Sequence, residues 1–393
     1  ANHRWTVDSQ EDFDYLEKIV SQLDEGQPPS YLKTLNIINS KPKYFENNSR
    51  IARNQSLEKA LVDDPIRASK GYKTSQKLLE RALKVIPIGT QTFSKSHLQF
   101  PRNSPYFITF GNGGRIWDVD GNPYVDLIMG LLPNILGYRD QDVDRAISDQ
   151  LKAGITFSLA SELEIILSEK LVEVIPSAEM VRLGKKGTDV TSAAIRLARA
   201  FTGRDKIMVC GYHGWQDWYI GTTTRDSGVP KSVKDLSFQV PFNDLEAVES
   251  LLKKHKNQFS ALIIEPVNTE EPDEGYFKQL KSLLHREGAL LVFDEIITGF
   301  RLALGGAQEY YDVVPDISCF GKSLGNGMPI SAIVGRQDVM KEMENIFFSG
   351  TFSGETLSIA ASIAVIDKIK REPIISKLWK TGAHLASEVV KII

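Results

Sequence analysis

The chain has 393 residues, enough for two or three domains and a large core, and its 42% hydrophobic and 25% charged residues are those of an ordinary globular protein. A net charge of −3 sets up no global field for nucleic acid or an anionic membrane, and the two cysteines, Cys210 and Cys319, form neither a disulfide framework nor a metal cluster. No apolar run approaches the roughly 20 residues of a membrane span, and the start lacks the basic-then-apolar form of a signal peptide, so the expectation is a cytoplasmic protein in a reducing compartment.

In chain order, residues 1–30 predict a helix with Phe13, Leu16, Ile19, Val20 and Leu23 on one face, stopped by Gly26 and Pro28-Pro29. The segment Arg4-Trp5-Thr6-Val7-Asp8, followed by Glu11-Asp12, resembles the C-terminal tail of nucleotide-sugar cytidylyltransferases of the acylneuraminate type. That resemblance implies a chain that starts inside a longer fusion protein; a plain helical extension reads the same residues equally well. Residues 31–86 hold more than twice as many Lys and Arg as Asp and Glu, the mark of a linker with solvated charge, and helical spacing from Thr74 to Val85 begins the ordered body near residue 72.

Between 106 and 136, strand-like alternation (Ile116, Asp118, Val119) breaks at Asp120-Gly121-Asn122 and resumes at Tyr124, Val125 and Leu127, which predicts a hairpin. From about 140 the chain alternates between helical and strand patterns. Helices are expected at 142–152, 163–174, 190–201, 244–254 and 277–287, and strands at 180–183, 206–210, 261–265, 289–293 and 331–335. Such alternation is the signature of an α/β domain with a mainly parallel sheet flanked by helices.

Chemistry concentrates at the ends of these strands. The run Ala289-Leu290-Leu291-Val292-Phe293 ends on Asp294 and Glu295, and burying an unpaired carboxylate is expensive. Lys322 follows 28 residues after Asp294 on a loop flanked by Gly321 and Gly325. A carboxylate and a lysine in one cleft suit pyridoxal phosphate: the lysine forms the Schiff base, and the acid keeps the pyridine nitrogen protonated. Upstream, Gly184-Lys185-Lys186-Gly187-Thr188-Asp189 opens a helix and can present free amides to an anion, although taken alone these residues read more readily as an ordinary capped helix start. Tyr212-His213 between Gly211 and Gly214 could stack on a planar ring, and residues 214–230 suit a loop able to close over a site. Glu265-Pro266-Val267 ends another strand in the manner of Asp294-Glu295. In a parallel sheet these ends share the edge where ligands bind. The spacings of a P-loop or a GxGxxG fingerprint are missing, which disfavours a nucleotide-binding enzyme.

The stretches GTDVTSAAIRLARAFTGRDKI, GYHGW, IIEPV, LLVFDEIITGFR, PDISCFGKSLGNGMPISAIVGR and SGTFSGETLSIAA keep one order and spacing over some 280 residues. Residues 75–393 thereby resemble a class III aminotransferase of fold type I, nearest to the glutamate-1-semialdehyde aminomutase branch. The resemblance implies a fold type I PLP-transferase with a large domain and a smaller N-terminal lobe, divided as 1–71 extension and linker, 72–140 N-terminal segment of the small lobe, 141–360 cofactor-binding large domain, and 361–393 the start of a C-terminal lobe that breaks off inside a helix. It implies pyridoxal 5'-phosphate as cofactor, Lys322 as the Schiff-base lysine and Asp294 on the pyridine nitrogen. Tyr212 and His213 would cover one ring face and Val267 the other. Gly187 and Thr188 would bind the phosphate, with Thr351 reaching it from a second subunit of a homodimer, and Glu265 would stand beside the ring.

Two departures bear on function. Lys186-Gly187-Thr188 stands where much of the family reads Ser-Gly-Thr, which keeps the backbone donors. Where the aminomutases carry an arginine for the substrate carboxylate, this chain offers Lys95, which lacks the bidentate fork. The expected activity is amino-group transfer to or from a small-molecule substrate, with a setting in surface-polysaccharide or sialic-acid-like sugar metabolism inferred from the N-terminal resemblance. Intramolecular aminomutation would use the same residues, and a catalytically silent scaffold would have no need of Lys322 and Asp294.

Overall fold

The computed structural model describes residue 17, residues 71–267 and residues 269–392. Apart from residue 17, the helix expected at residues 13–23 lies outside the described residues, as do the tail-like segment at 4–12 and most of the basic linker. The chain divides into two units, residues 1–111 with 115–125, and residues 112–114 with 126–393. In the first, helix α1 (Lys73–Leu83) precedes a small sheet in the order β1-β2-β3, with β1 at Ile108–Asn112, β2 at Arg115–Asp118 and β3 at Pro123–Val125. The expected hairpin is the antiparallel pair β2–β3, and Asp118 closes its turn by accepting from the Asp120 and Asn122 amides at 3.0 and 2.8 Å.

The second unit carries a seven-stranded sheet. Its strands are β4 (Met180–Gly184), β5 (Lys206–Cys210), β6 (Ser237–Gln239), β7 (Phe259–Ile264), β8 (Leu290–Glu295), β9 (Ile317–Phe320) and β10 (Ser331–Gly335), in the order β4-β10-β9-β8-β7-β5-β6. The pairs from β6 through β9 are parallel, whereas β10 runs antiparallel to both β4 and β9. Two reversals cancel, so β4, β5, β7, β8 and β9 all finish at one edge. The parallel sheet expected from the alternation is present, with β6 and β9 as strands not foreseen and β10 reversed.

Helices cover both faces: α2 (Gln141–Ala153), α3 (Glu162–Val174), α4 (Gly187–Thr202), α5 (Leu245–Lys254), α6 (Tyr276–Arg286) and α7 (Thr356–Arg371), with α8 at Ile374–Val390. The strands are apolar on both sides because both sides are buried. Ile207, Val209, Ile263 and Val292 pack against Val190, Ala194 and Leu197 of α4. Their neighbours Met208, Leu262, Leu291 and Phe293 pack on the other face against Val248, Phe277 and Leu280. This two-residue alternation sends the last two residues of β8 to opposite sides, Asp294 toward the α4 face and Glu295 away from it.

Glu295 is fully buried and pays for that position with four hydrogen bonds. Its Oε2 accepts from Thr298 Oγ1 and from the Ala307 amide (2.8 Å), and Oε1 accepts from the Gln308 amide (3.0 Å) and Nε2 (3.4 Å). Burial raises its carboxyl pKa and these donors oppose the rise. The carboxylate thus ties the end of β8 to the turn that follows and to the backbone at Ala307-Gln308. A Cβ at Gly306 would stand 2.5 Å from Oε2, so glycine is required there. Glu295→Ala would strand buried donors without acceptors and is expected to cost about 3 kcal/mol, read as a melting temperature several degrees lower by circular dichroism; an unchanged melt would show that these bonds contribute nothing.

Candidate active site

The common edge of the sheet gathers most of the chemistry. Asp294, 4% exposed, lies on β8 opposite Cys319 of β9, one residue beyond the Phe293–Ile264 pair with β7. Its Oδ1 accepts from the Ile296 amide at 3.1 Å, and its Oδ2 meets His213 Nδ1 at 2.8 Å. His213 follows the end of β5, is 1% exposed, and has its Nε2 on the Cys210 carbonyl at 3.1 Å. Sequence alone put the imidazole over a ring face beside Tyr212. The structure instead places it behind the carboxylate, stacked on Trp218 at 6.3 Å and edge-on to Tyr219 at 5.4 Å.

Tyr212 keeps an open ring, 60% exposed, edge-on to Tyr219 at 5.5 Å. Its amide donates to Glu265 Oε2 at 2.7 Å, and Glu265 donates its own amide to the Cys210 carbonyl at 3.1 Å. Gly211 (φ +105°) permits this approach, since a Cβ there would meet Glu265 Oε2 at 2.6 Å. Burial, with Asp294 and Glu265 nearby, holds the Tyr212 phenol above its ordinary pKa. Val267, half-buried, lies just past the end of β7.

Gly187 and Thr188 open α4. Asp189 accepts from the Lys186 amide at 2.8 Å and the Lys185 amide at 3.2 Å, which fixes the loop. Thr188 Oγ1 is buried and has no hydrogen-bond partner. A buried hydroxyl without a partner is rare enough to need a reason, and this one sits at the amino end of a 16-residue helix, where an anionic oxygen would satisfy it. Gly214 (φ +108°) makes room, because a Cβ there would stand 2.7 Å from Thr188 Oγ1. Lys185 Nζ pairs with Glu355 at 2.8 Å. That carboxylate also caps α7 through the Leu357 and Ser358 amides, at 2.6 and 3.3 Å. Thr351 is exposed on the loop leading to α7.

Lys322 comes two residues after β9, on a single 3-10 turn and with a left-handed φ of +38°. Burial lowers its pKa; the charges of Asp294 and Glu265 oppose that shift, and the charge of Arg301 adds to it. Ile296 packs where Cβ atoms of Gly187 and Gly321 would fall, at 3.2 and 3.1 Å, so the anion loop and the lysine turn close on one side chain. The edge therefore offers a lysine amine biased toward its neutral form, a buried carboxylate backed by an imidazole, an open aromatic ring, and a helix terminus with an unmatched hydroxyl. These are the groups a phosphorylated pyridine aldehyde needs.

Lys95 belongs to the other unit, exposed on the 3-10 turn Phe93–Lys95. The stretch 214–230, expected as a closing loop, contains a helical turn at Asp217–Ile220 with Trp218 and Tyr219 buried and Trp218 Nε1 bonded to Ser192 Oγ at 3.0 Å. Those aromatics brace His213. Sequence reasoning gave no role to Ile296, Trp218 or Tyr219; the alternation of large apolar residues with glycines around them was the available signal. Among the described residues no helix is long and apolar enough to cross a membrane, and no group of His, Cys, Asp and Glu could hold a metal ion.

Comparison with known proteins places the chain in a family. The family described as Aminotransferase class-III matches residues 99–392. The 3-aminobutyryl-CoA aminotransferase of Cloacimonas acidaminovorans is 36% identical over 327 residues, covering 81% of this chain and 78% of that protein. The glutamate-1-semialdehyde 2,1-aminomutase of Desulforamulus reducens is 37% identical over 339 residues, with the same coverage of each. Among solved structures, the PLP internal aldimine form of the FumI protein of Sphingopyxis sp. MTA144 superposes with a TM-score of 0.76 at 31% identity, over 80% of this chain and 77% of that one. The chain belongs to the class-III aminotransferase family, and its sheet and helices are those of a fold type I transaminase.

Proposed function

We propose that the protein is a pyridoxal-phosphate enzyme that moves an amino group between small molecules, with Lys322 and Asp294 as its central pair. The observation that carries the reading is the convergence of Asp294 and Glu265 on a half-buried lysine beside a helix terminus whose Thr188 hydroxyl lacks a partner. When bound, pyridoxal phosphate supplies an aldehyde carbon and an electron-accepting ring. Thr188 Oγ1 and the amides at Gly187 and Thr188 hold the phosphate. Asp294, oriented by His213 and the Ile296 amide, holds a proton at the pyridine nitrogen. Tyr212 covers one ring face and Val267 the other, and Glu265 stands beside the ring where it can also meet the substrate. Lys322 Nζ removes the substrate's proton and returns it to a neighbouring carbon, a task suited to an amine whose pKa burial has lowered.

The exposed position of Thr351 supports a homodimer in which it reaches the phosphate of the other subunit. Lys95 is the proposed partner of the substrate carboxylate. A setting in sugar metabolism rests on residues 1–30, of which only residue 17 is among the described residues, and the relatives above give it no support. Intramolecular amino transfer is the second reading, favoured by the relatives named as aminomutases.

Purified protein is expected to show a near-visible absorbance band with added pyridoxal phosphate. Lys322→Ala should abolish both that band and at least a thousandfold of turnover, in order of magnitude. A colourless wild-type protein indifferent to cofactor would favour a silent scaffold. Incubation with amino donors, with and without a keto acceptor, separates the two activities; turnover of one substrate without any acceptor would establish the aminomutase. Gly214→Ala should weaken pyridoxal phosphate binding roughly tenfold or more by displacing Thr188, read by spectral titration; unchanged affinity would remove Thr188 from the phosphate site.

A further inference from the structure

Arg301 lies in the turn beyond β8, mostly buried. Its Nη2 donates to the Leu132 carbonyl at 2.6 Å and to Ser323 Oγ at 3.2 Å, and its Nε to the Ile297 carbonyl at 3.3 Å. Among the described residues no carboxylate lies within ion-pair distance of it, and no nearby charge shifts its pKa, which burial alone lowers. A guanidinium largely withdrawn from water and given only neutral oxygens is costly, and arginine keeps its charge regardless. Such an arrangement calls for a use.

The groups it joins indicate one. Ser323 adjoins Lys322. Leu132 is the last of a left-handed run with Met129, Gly130 and Leu131, at φ +79°, +49°, +71° and +74° respectively. Non-glycine residues persist in that region only where their surroundings over-determine them. A second tie lies a few residues further along both segments, where Asn326 accepts from the Leu136 amide at 2.9 Å and donates to the Gly137 carbonyl at 3.1 Å. The lysine turn is thus bound at two points to a segment that has little freedom of its own.

We propose that Arg301 is a positioning residue for Lys322: it ties the Lys322-Ser323 turn to the left-handed segment and holds a fixed positive charge beside the lysine amine. The charges that act on that amine are Asp294 and Glu265, which favour its protonated form, and Arg301, which opposes them. Without the guanidinium only burial opposes the two carboxylates, and Lys322 stays protonated to higher pH. The catalytic consequence rests on the function proposed above; the protonation of the amine does not, and it can be read in cofactor-free protein.

The test compares wild type, Arg301→Gln and Arg301→Lys, each stripped of cofactor and pulse-labelled with acetic anhydride between pH 6.5 and 10.5. The Lys322 peptide is quantified by mass spectrometry, and melting curves report folding. Arg301→Gln should move the labelling midpoint to higher pH, so that labelling near neutral pH falls severalfold. Arg301→Lys should keep the wild-type midpoint, because it keeps the charge, yet lower kcat of the holoenzyme about tenfold with KM little changed, because the fork is lost. Equal midpoints in all three proteins, or equal displacement in both variants, would overturn the charge role. An Arg301→Lys enzyme with wild-type kcat would overturn the positioning role, and that arm decides the matter if Arg301→Gln does not fold. If wild-type protein proves inactive while the labelling pattern holds, the functional reading fails and this one stands.

Discussion

The constraint on which the site depends is the burial of two consecutive carboxylates at the end of a central strand. Neither Asp294 nor Glu295 can remain there without donors, because an ionised carboxylate removed from water without partners costs more than a typical domain's margin of stability can absorb. The two-residue period of the strand separates them. Glu295 faces the core and spends its four acceptor positions on the turn that follows it. Asp294 faces the α4 side, takes one amide and one imidazole, and keeps the rest of its capacity directed at the edge. One acid builds the frame and its neighbour uses it.

That frame is closed by contacts that only glycine allows. Gly299 lies where a Cβ would meet the Phe320 ring at 2.4 Å, so the turn after β8 presses directly on the end of β9 and thereby on the approach to Lys322. Ile296 fills the room left by Gly187 and Gly321, and Gly214 admits Thr188. Each contact joins two different strand ends, so the spacing between anion loop, carboxylate and lysine is set by packed backbone and not by long side chains. A geometry fixed in this way needs little reorganisation when a ligand arrives.

Much of this was legible in the sequence, for identifiable reasons. β5, β7 and β8 announced themselves as short apolar runs bounded by polar or glycine residues. β9 is only Ile-Ser-Cys-Phe, too short and mixed to stand out, and β6 is the three residues Ser-Phe-Gln on the sheet's edge. The reversal of β10 is not written in its composition, since an apolar strand reads alike in either direction. Lys322, Asp294, Tyr212 and Thr188 stood out as candidates because their chemistry is uncommon at strand ends and helix starts. The place of His213 was not, because its partner lies 81 residues away and only the sheet brings them together. Arg301 was silent for a related reason: two of its three acceptors are backbone carbonyls, which every residue possesses.

The left-handed backbone at Met129, Leu131, Leu132 and Lys322 has no sequence signal, since none of these residues favours that conformation. Its presence is informative for the same reason. In the proposed function Lys322 is neutral when it takes a proton and charged when it gives one back, and a single strong ion pair holding it in place would lock its charge. At this edge Asp294 and Glu265 pull the amine toward protonation while burial and Arg301 pull the other way. Opposed influences leave the amine free to change charge, but they leave its position undetermined. The position then has to come from the backbone, and a strained turn held on both sides by packing and carbonyl contacts supplies it without adding any charge to the balance.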